Sequence, residues 1–307
     1  MDQYEFFDSL AFCTLTCSYP GLESSKSTSA TIAKCDSVFF PGCSFINYAL
    51  PLVQAVYDLL KGAGRVDGIS LLCCGKILEY EPDGKAVKAA FQEKLRERLV
   101  QAGVKRVVAA CPNCVRMLRE VTESDERTKS IEIVALPVEL SDMGYRIDPG
   151  VTESMVRADY RCADQTAPVK LAVHDSCPDR ERGEFADGLR GIMPAETIVD
   201  PEHCREKSFC CGSRPRAAGN GQVAAKLAQR HGEEAKDAGA NGMVTACMSC
   251  AFLLSVLQQD YPVFHYLELL YNWRINWYYA DQWMKLRFLI DEEEDDGSSH
   301  RKFMGIG

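Results

Sequence analysis

The sequence is poor in the features that would assign it to nucleic acid, to a bilayer or to export. Positive charge is in deficit: the formal net charge is −9 at pH 7, so no broad nucleic-acid footprint is expected. No long uncharged hydrophobic run occurs. The most apolar late stretch, "YLELLYNWRINWYYADQWMKLRFLI", is broken by Glu268, Arg274, Asp281, Lys285 and Arg287, more charge than a membrane span tolerates. The opening "MDQYEFFDSLAFCTLTCSYPG" carries acids where a signal peptide carries positive residues. No export signal is expected, and the predicted location is the cytoplasm or the periphery of a membrane complex. A G-x-G-x-x-G after a predicted strand is also missing, because "AAGNGQ" lacks that context. The chain therefore has no flavin or nicotinamide fingerprint of its own.

What the sequence has in excess is cysteine, 15 in 307 residues. A reducing compartment disfavours structural disulfides, and a chain this long does not need them to hold a core. Metal or redox chemistry is the remaining explanation.

The cysteines follow a grammar that is used twice. The first half runs "CDSVFFPGC" (35–43), "GISLLCCG" (68–75), "VKRVVAACPNC" (104–114) and "IEIVALPVEL" (131–140). The second runs "VKLAVHDSC" (169–177), "EKSFCCG" (206–212), "ANGMVTACMSC" (240–250) and "YPVFHYLELL" (261–270). Each apolar run reads as a buried strand. Between them, "NYALPLVQAVYDLLKGAG", "KAVKAAFQEKLRERLVQAG" and "QVAAKLAQRHGEEAKDAG" read as amphipathic helices closed by glycine. The Ala-Gly pairs at 102–103 and 238–239 stand in the same register to Cys111 and Cys247, which marks an internal duplication.

Strands alternating with helices predict an α/β fold. The expectation is two pseudo-symmetric repeats, each a small, mostly parallel sheet flanked by helices, with the cysteines at the strand carboxyl ends. The expected division is an N-terminal arm and linker (1–34), a first repeat (35–145), a connector (146–168), a second repeat (169–270), and an aromatic helix with an acidic tail (271–307). Ligands of such sheets gather at the carboxyl ends of the strands. There the topology brings together Cys43, Cys73, Cys74, Cys111 and Cys114 in one half, and Cys177, Cys210, Cys211, Cys247 and Cys250 in the other.

Three occupants suit five thiols at one rim. Disulfides leave one thiol over and run against the compartment. Structural zinc wants four thiolates, typically from two CxxC hooks, and each half has only one, Cys111–Cys114 or Cys247–Cys250. An iron–sulfur cluster is held by thiolates and offers several irons, so adjacent thiolates can reach different ones. The glycine after each pair, Gly75 or Gly212, is expected to clear space for such a cluster. The cluster fits best, with zinc left as the alternative.

With "FFPGC", "LLCCG" and "ACPNC", then "HDSC", "FCCG" and "ACMSC", the chain resembles the cysteine-rich CCG-domain (Fe-S)-binding oxidoreductases typified by the CCG-bearing component of heterodisulfide reductase. The resemblance spans residues 36–270. It implies two non-cubane [4Fe-4S] clusters with five cysteine ligands each, one on Cys43, Cys73, Cys74, Cys111 and Cys114, the other on Cys177, Cys210, Cys211, Cys247 and Cys250. It further implies an iron–sulfur subunit of an anaerobic oxidoreductase complex that reduces a small-molecule disulfide in one-electron steps at two equivalent sites. Relatives in hydroxy-acid (lactate or glycolate) and sulfur metabolism make an electron-transfer subunit the alternative. A ferredoxin-like subunit and a flavoprotein are the implied partners. A function of another class, a zinc- or cluster-binding structural or sensor protein, stays open.

Lys76, His174 and Arg214 are candidate catalytic residues: a cation beside each CCG motif, and a histidine placed to relay a proton. Asn113 is a candidate hydrogen-bond donor to a cluster sulfur. Cys13, Cys17, Cys35, Cys162 and Cys204 fall outside the pattern and are expected to be unliganded. Trp273, Trp277 and Trp283, with Tyr278 and Tyr279, suit either an interface or packing on the second repeat. "GLESSKSTSA" (21–30) reads as a linker and "DEEEDD" (291–296) as a solvated tail.

Overall fold

The computed structural model describes residues 34–80, 84–159, 161, 166–258 and 260–282. The arm before residue 34, Cys13, Cys17, Cys162, Trp283 and the acidic run lie outside the described residues. The chain divides into two compact units, one up to Val134 and one from Ala135.

In the first unit, β1 (Ser37–Phe40) leads into α1 (Cys43–Gly62), β2 (Gly68–Ile69), α2 (Gly84–Ala102), β3 (Arg106–Ala109), α3 (Pro112–Glu123) and β4 (Glu132–Ala135). A 3₁₀ turn at Lys76–Tyr80 precedes α2. The sheet order is β2-β1-β3-β4, and β1 runs parallel to both neighbours, with Ser37–Phe40 opposite Arg106–Ala109. Val107, Val108 and Ala109 of β3 are fully buried, as expected of a parallel strand covered on both faces. Helix α2 turns Phe91, Leu95, Leu99 and Ala102 inward, a stripe at helical spacing. Pro51 lies inside α1, and the turn before it departs from helical geometry at Ala49, since proline lacks the N–H and crowds the preceding turn.

The second unit starts with α4 (Leu136–Asp142) and α5 (Pro149–Ala158). It continues through β5 (Leu171–His174), α6 (Glu184–Ile192), β6 (Ile198–Val199), α7 (Ser213–Ala217), α8 (Gly221–Asp237), β7 (Gly242–Thr245), α9 (Met248–Leu257), β8 (Val263–His265) and α10 (Tyr266–Leu270). Its sheet order, β6-β5-β7-β8, repeats that of the first, and all its pairings are parallel, with Leu171–His174 opposite Gly242–Thr245. Every residue of β5 and β7 is buried. The α/β class and the duplicated architecture are as the sequence predicts, with parallel strands throughout.

Two details differ from expectation. "EKSFCCG" is not a strand: Arg205–Lys207 form a 3₁₀ turn, and the edge strand is the earlier Ile198–Val199. In the first unit the strand likewise stops at Ile69, before the cysteine pair. Leu72 is buried, and Leu71 and Phe209 are half-buried, in loops rather than strands, which period-2 or run-length signals cannot separate from a strand. The segment read as connector also contains α5, started by Asp148, whose side chain accepts from the N–H groups of Gly150 and Val151, with Pro149 in the first turn.

Trp277 is buried and packs on Phe252 at a ring separation of 6.3 Å. The packing reading holds for Trp277, while Tyr278 and Tyr279 are 75% and 69% exposed. No helix among the described residues is long and apolar enough to cross a membrane.

Candidate metal centres

Each strand–helix junction delivers thiols in the same way. β3 ends at Ala109; Cys111 caps α3, Pro112 opens it, and Cys114 lies in its first turn. β7 ends at Thr245; Cys247 caps α9 and Cys250 lies in its first turn. Residues three apart on a helix share a face, so both CxxC thiols point one way, at a helix N-terminus whose dipole favours thiolate. Cys43 opens α1 three residues after β1. Cys177 opens a 3₁₀ turn three residues after β5.

The adjacent pairs arrive on loops. In both units the N–H of the following glycine donates to the first sulfur of the pair, Gly75 to Cys73 and Gly212 to Cys210, at 3.4 Å in each case. These glycines have φ of +76° and +108°. A Cβ at Gly75 would stand 2.7 Å from the Phe91 ring, and one at Gly212 2.7 Å from the carbonyl oxygen of Ala224. They therefore make room for α2 and α8. The residue that clears space beside the thiols is Gly42, with φ +82°, where a Cβ would lie 2.9 Å from the Cys114 sulfur.

The thiols touch in the same order twice. Side-chain interactions run Cys43–Cys73–Cys74–Cys114–Cys111 in the first unit. They run Cys177–Cys210–Cys211–Cys250–Cys247 in the second. Cys43, Cys177 and Cys210 are half-buried and the other seven are buried, so each set has an open side. All described cysteines are free.

Neighbouring thiols within each set are shifted in opposite directions. Cys73 is held well above the ordinary thiol range by its neighbours Cys43 and Cys74 and by burial. Cys74 is held well below it because Cys114 and Cys73 donate to it, which outweighs burial. In the second set Cys177 is raised by its contact with Cys210 and by burial. Cys211 is pushed up to about 12, chiefly by Cys210, while Cys210 itself is lowered by Cys177 and Cys211. Five thiols so placed cannot all ionise unless a cation compensates them. The donor set thus suits thiophilic metal, and five sulfurs exceed the four of one tetrahedral zinc.

The other sequence candidates fall out differently. His174 is buried, and a ring nitrogen lies within 4.8 Å of the sulfurs of Cys211 and Cys250. Burial lowers its pKa, keeping the imidazole neutral. Lys76 is engaged by Glu79 within its own 3₁₀ turn. Arg214 is exposed, and it is its backbone that reaches Cys210. Asn113 is half-buried in the first turn of α3. Cys35 donates to the Ser37 carbonyl at 3.2 Å and has charged neighbours, Asp67 first among them. Cys204 lies among Asp200, Asp175 and Arg190. Neither belongs to a quintet.

Sequence reasoning missed several residues here. Asp175 is buried and gripped by both terminal nitrogens of Arg190, at 2.8 and 2.9 Å, while the N–H of Arg205 donates to it at 2.7 Å. That fork fixes the loop carrying Cys177. His231 stacks on Phe209 and meets His174 edge-on, at 3.9 and 4.4 Å between centroids. A cavity lined by Asp175, Ser176, Asp179, Arg180, Arg182 and Arg205 adjoins the same loop. Only the helical register of His231, on the stripe Ala224, Ala228 and Ala235, could have flagged any of these.

A family model described as the cysteine-rich domain CCG matches residues 37–119 and again 171–255. No curated protein matches the sequence. Among solved structures, glutamate racemase isoform RacE1 from Bacillus anthracis is 10% identical, with 85% of this chain and 83% of that one covered and a TM-score of 0.36. An Asp/Glu racemase candidate from Yersinia pestis is 11% identical, covering 80% of this chain and 98% of its own, with a TM-score of 0.35. Likeness at that level carries no argument about fold or chemistry.

Proposed function

This chain belongs to the cysteine-rich CCG domain family, and on that premise we propose that it is the iron–sulfur subunit of an oxidoreductase complex, holding one cluster in each unit. The ligands would be Cys43, Cys73, Cys74, Cys111 and Cys114 in one unit and Cys177, Cys210, Cys211, Cys247 and Cys250 in the other. The single observation that carries this reading is the shared order of thiol contacts in both quintets. Five sulfurs per site suit a non-cubane [4Fe-4S] group, which when bound supplies one-electron acceptance and donation.

The chain's own residues bind, orient and shield. Helix N-termini at Cys111 and Cys247 favour thiolate, the glycine N–H groups hold the sulfurs of Cys73 and Cys210, and the Asp175–Arg190 fork sets the Cys177 loop. The half-buried Cys43, Cys177 and Cys210 leave an opening for electrons or substrate. The cavity beside Ser176 and Arg205 is a place for a small, charged redox substrate such as a disulfide. Electrons come from outside, through a ferredoxin-like subunit coupled to a flavoprotein, because the sequence has no dinucleotide fingerprint. Service to a hydroxy-acid or sulfur-metabolism complex is the variant of this reading. The proposed setting is an anaerobic cytoplasm or the face of a membrane complex.

A second reading, a zinc-binding structural or sensor protein, draws on the grouping of His174, Cys211 and Cys250 within 4.8 Å, a nitrogen–sulfur set that one zinc ion could take. Purification without oxygen separates the two. A brown protein with about eight irons per chain, falling to about half in Cys74→Ala and in Cys211→Ala alike, supports the cluster reading. A colourless protein holding zinc, or Cys74→Ala with undiminished iron, overturns it.

A further inference from the structure

The duplication suggests two equivalent centres, yet the walls of the two thiol sets differ in chemistry at matching positions. Three residues before the first cysteine of each set stand Phe40 and His174, at the ends of β1 and β5. They occupy the same place in the sheets, Phe40 paired with Ala109 and His174 with Thr245. Immediately before that cysteine stand Gly42 and Ser176. Two residues before the CxxC motifs stand Ala109 and Thr245.

At all three positions the first unit is apolar and the second is polar. His174 places a ring nitrogen within 4.8 Å of the Cys211 and Cys250 sulfurs. Its Nε2 is buried and has no hydrogen-bond partner among the described residues. The Ser176 hydroxyl is 3.9 Å from the Cys250 sulfur, and Thr245 Oγ1 accepts from the N–H of Cys247 at 3.3 Å. The first set is walled instead by Leu78 and Phe91, packed with Cys73. A buried polar nitrogen without a partner is costly. Sulfur of a group held by Cys211 and Cys250 would satisfy it.

We propose that His174, seconded by Ser176, donates a hydrogen bond to the metal–sulfur group of the second unit, making that centre the stronger electron acceptor of the two. A donor at thiolate or sulfide draws negative charge off the sulfur, so an added electron meets less repulsion and the reduced state is favoured. The first centre has no counterpart of His174, because Phe40 carries no donor there; the side-chain donor of that unit, Ser44, serves Cys43. The centres then fill in sequence, the second before the first. His174 is on this account a positioning and tuning residue rather than a proton relay.

The inference rests on the iron–sulfur reading, and its test separates the two. Cys74→Ala removes the first centre and Cys211→Ala the second, so each remaining wave is read alone in an anaerobic redox titration followed by EPR. The wave in Cys74→Ala is expected at the higher potential. Adding His174→Phe, the residue of the first unit, should move it down, whereas His174→Gln, which keeps an N–H donor, should leave most of the difference. The inference is overturned if the Cys74→Ala wave lies at or below that of Cys211→Ala. It is also overturned if His174→Phe leaves the wave in place, or if His174→Gln shifts it as far as His174→Phe. The first comparison needs no histidine variant, so it decides even if His174→Phe fails to fold. A wild-type protein without iron ends the function reading and this inference with it; iron with unmoved potentials ends this inference alone.

Discussion

At Gly42 one hydrogen atom separates a usable site from a blocked one. Its φ of +82° and ψ of 154° fall where essentially only glycine is at ease, a cost of about 1–3 kcal/mol for other residues. The Cβ of an alanine would press on the Cys114 sulfur at 2.9 Å. Gly42→Ala is expected to lose about half the iron, that of the first unit, with the second wave intact in EPR; full iron content would count against the assignment of Cys114. The motif "FFPGC" contains this glycine, but no spacing rule says whose side chain it faces.

His265 gives a residue-scale prediction about pH. Burial lowers its imidazole to about 4, so it stays neutral in the fold while the unfolded chain takes up a proton below about 6.5. The stability this difference contributes is present above pH 6.5 and is lost as pH falls toward 4, by about 2 kcal/mol between pH 7 and pH 5. His265 also caps α10, its Nδ1 accepting from the N–H of Leu267 at 3.4 Å, and asparagine can take over that cap. His265→Asn should therefore flatten the fall in urea midpoint between pH 7 and pH 5; an unchanged slope would remove His265 from the account. A histidine in "VFHY" is visible in the sequence, but its burial is not.

Among elements, α4 packs extensively on α6, and the pair meets through glycine. A Cβ on Gly188 would lie 2.7 Å from the Val138 nitrogen and 2.8 Å from the Pro137 carbonyl carbon, backbone atoms that cannot step aside. In an open helix Gly→Ala gains about 1 kcal/mol. Gly188→Ala should instead cost about 1–3 kcal/mol through overpacking, read as a lower midpoint in chemical denaturation; a stabilised variant would contradict the packing.

The elements that were legible were those with a strong period. Helices α2 and α8 end within a few residues of their Ala-Gly closures because apolar stripes and glycine caps are local signals. The edge strands were not legible. Gly68–Ile69 and Ile198–Val199 are two residues each, too short for any period. The apolar residues around the cysteine pairs, Leu72 buried and Leu71 and Phe209 half-buried, lie in loops but read like a strand. Helix α5 was signalled by "DPG", yet its position between two halves read as connector.

For the whole molecule, the repeated sheet order, β2-β1-β3-β4 then β6-β5-β7-β8, means that each unit builds its thiol set from its own chain segment. Metal should therefore act on stability as well as on redox behaviour, since ligands gathered by folding return binding energy to the fold. Stripping iron from the anaerobic protein is expected to lower the melting temperature by at least about 5 °C. Cys74→Ala and Cys211→Ala should each remove part of that difference and the double variant all of it. Equal melting temperatures with and without iron would show that the thiol sets are assembled independently of any metal.

What the sequence determined by itself was the duplication, the α/β class and the ten thiols, because register, alternation and cysteine spacing are written along the chain. The tertiary structure decided which atoms face one another: Gly75 against Phe91, Gly42 against Cys114, His174 against Cys211 and Cys250. Those pairings join residues 16 to 76 positions apart. They follow from how strands stack in parallel and how loops return over their ends, and no local pattern of residues encodes that.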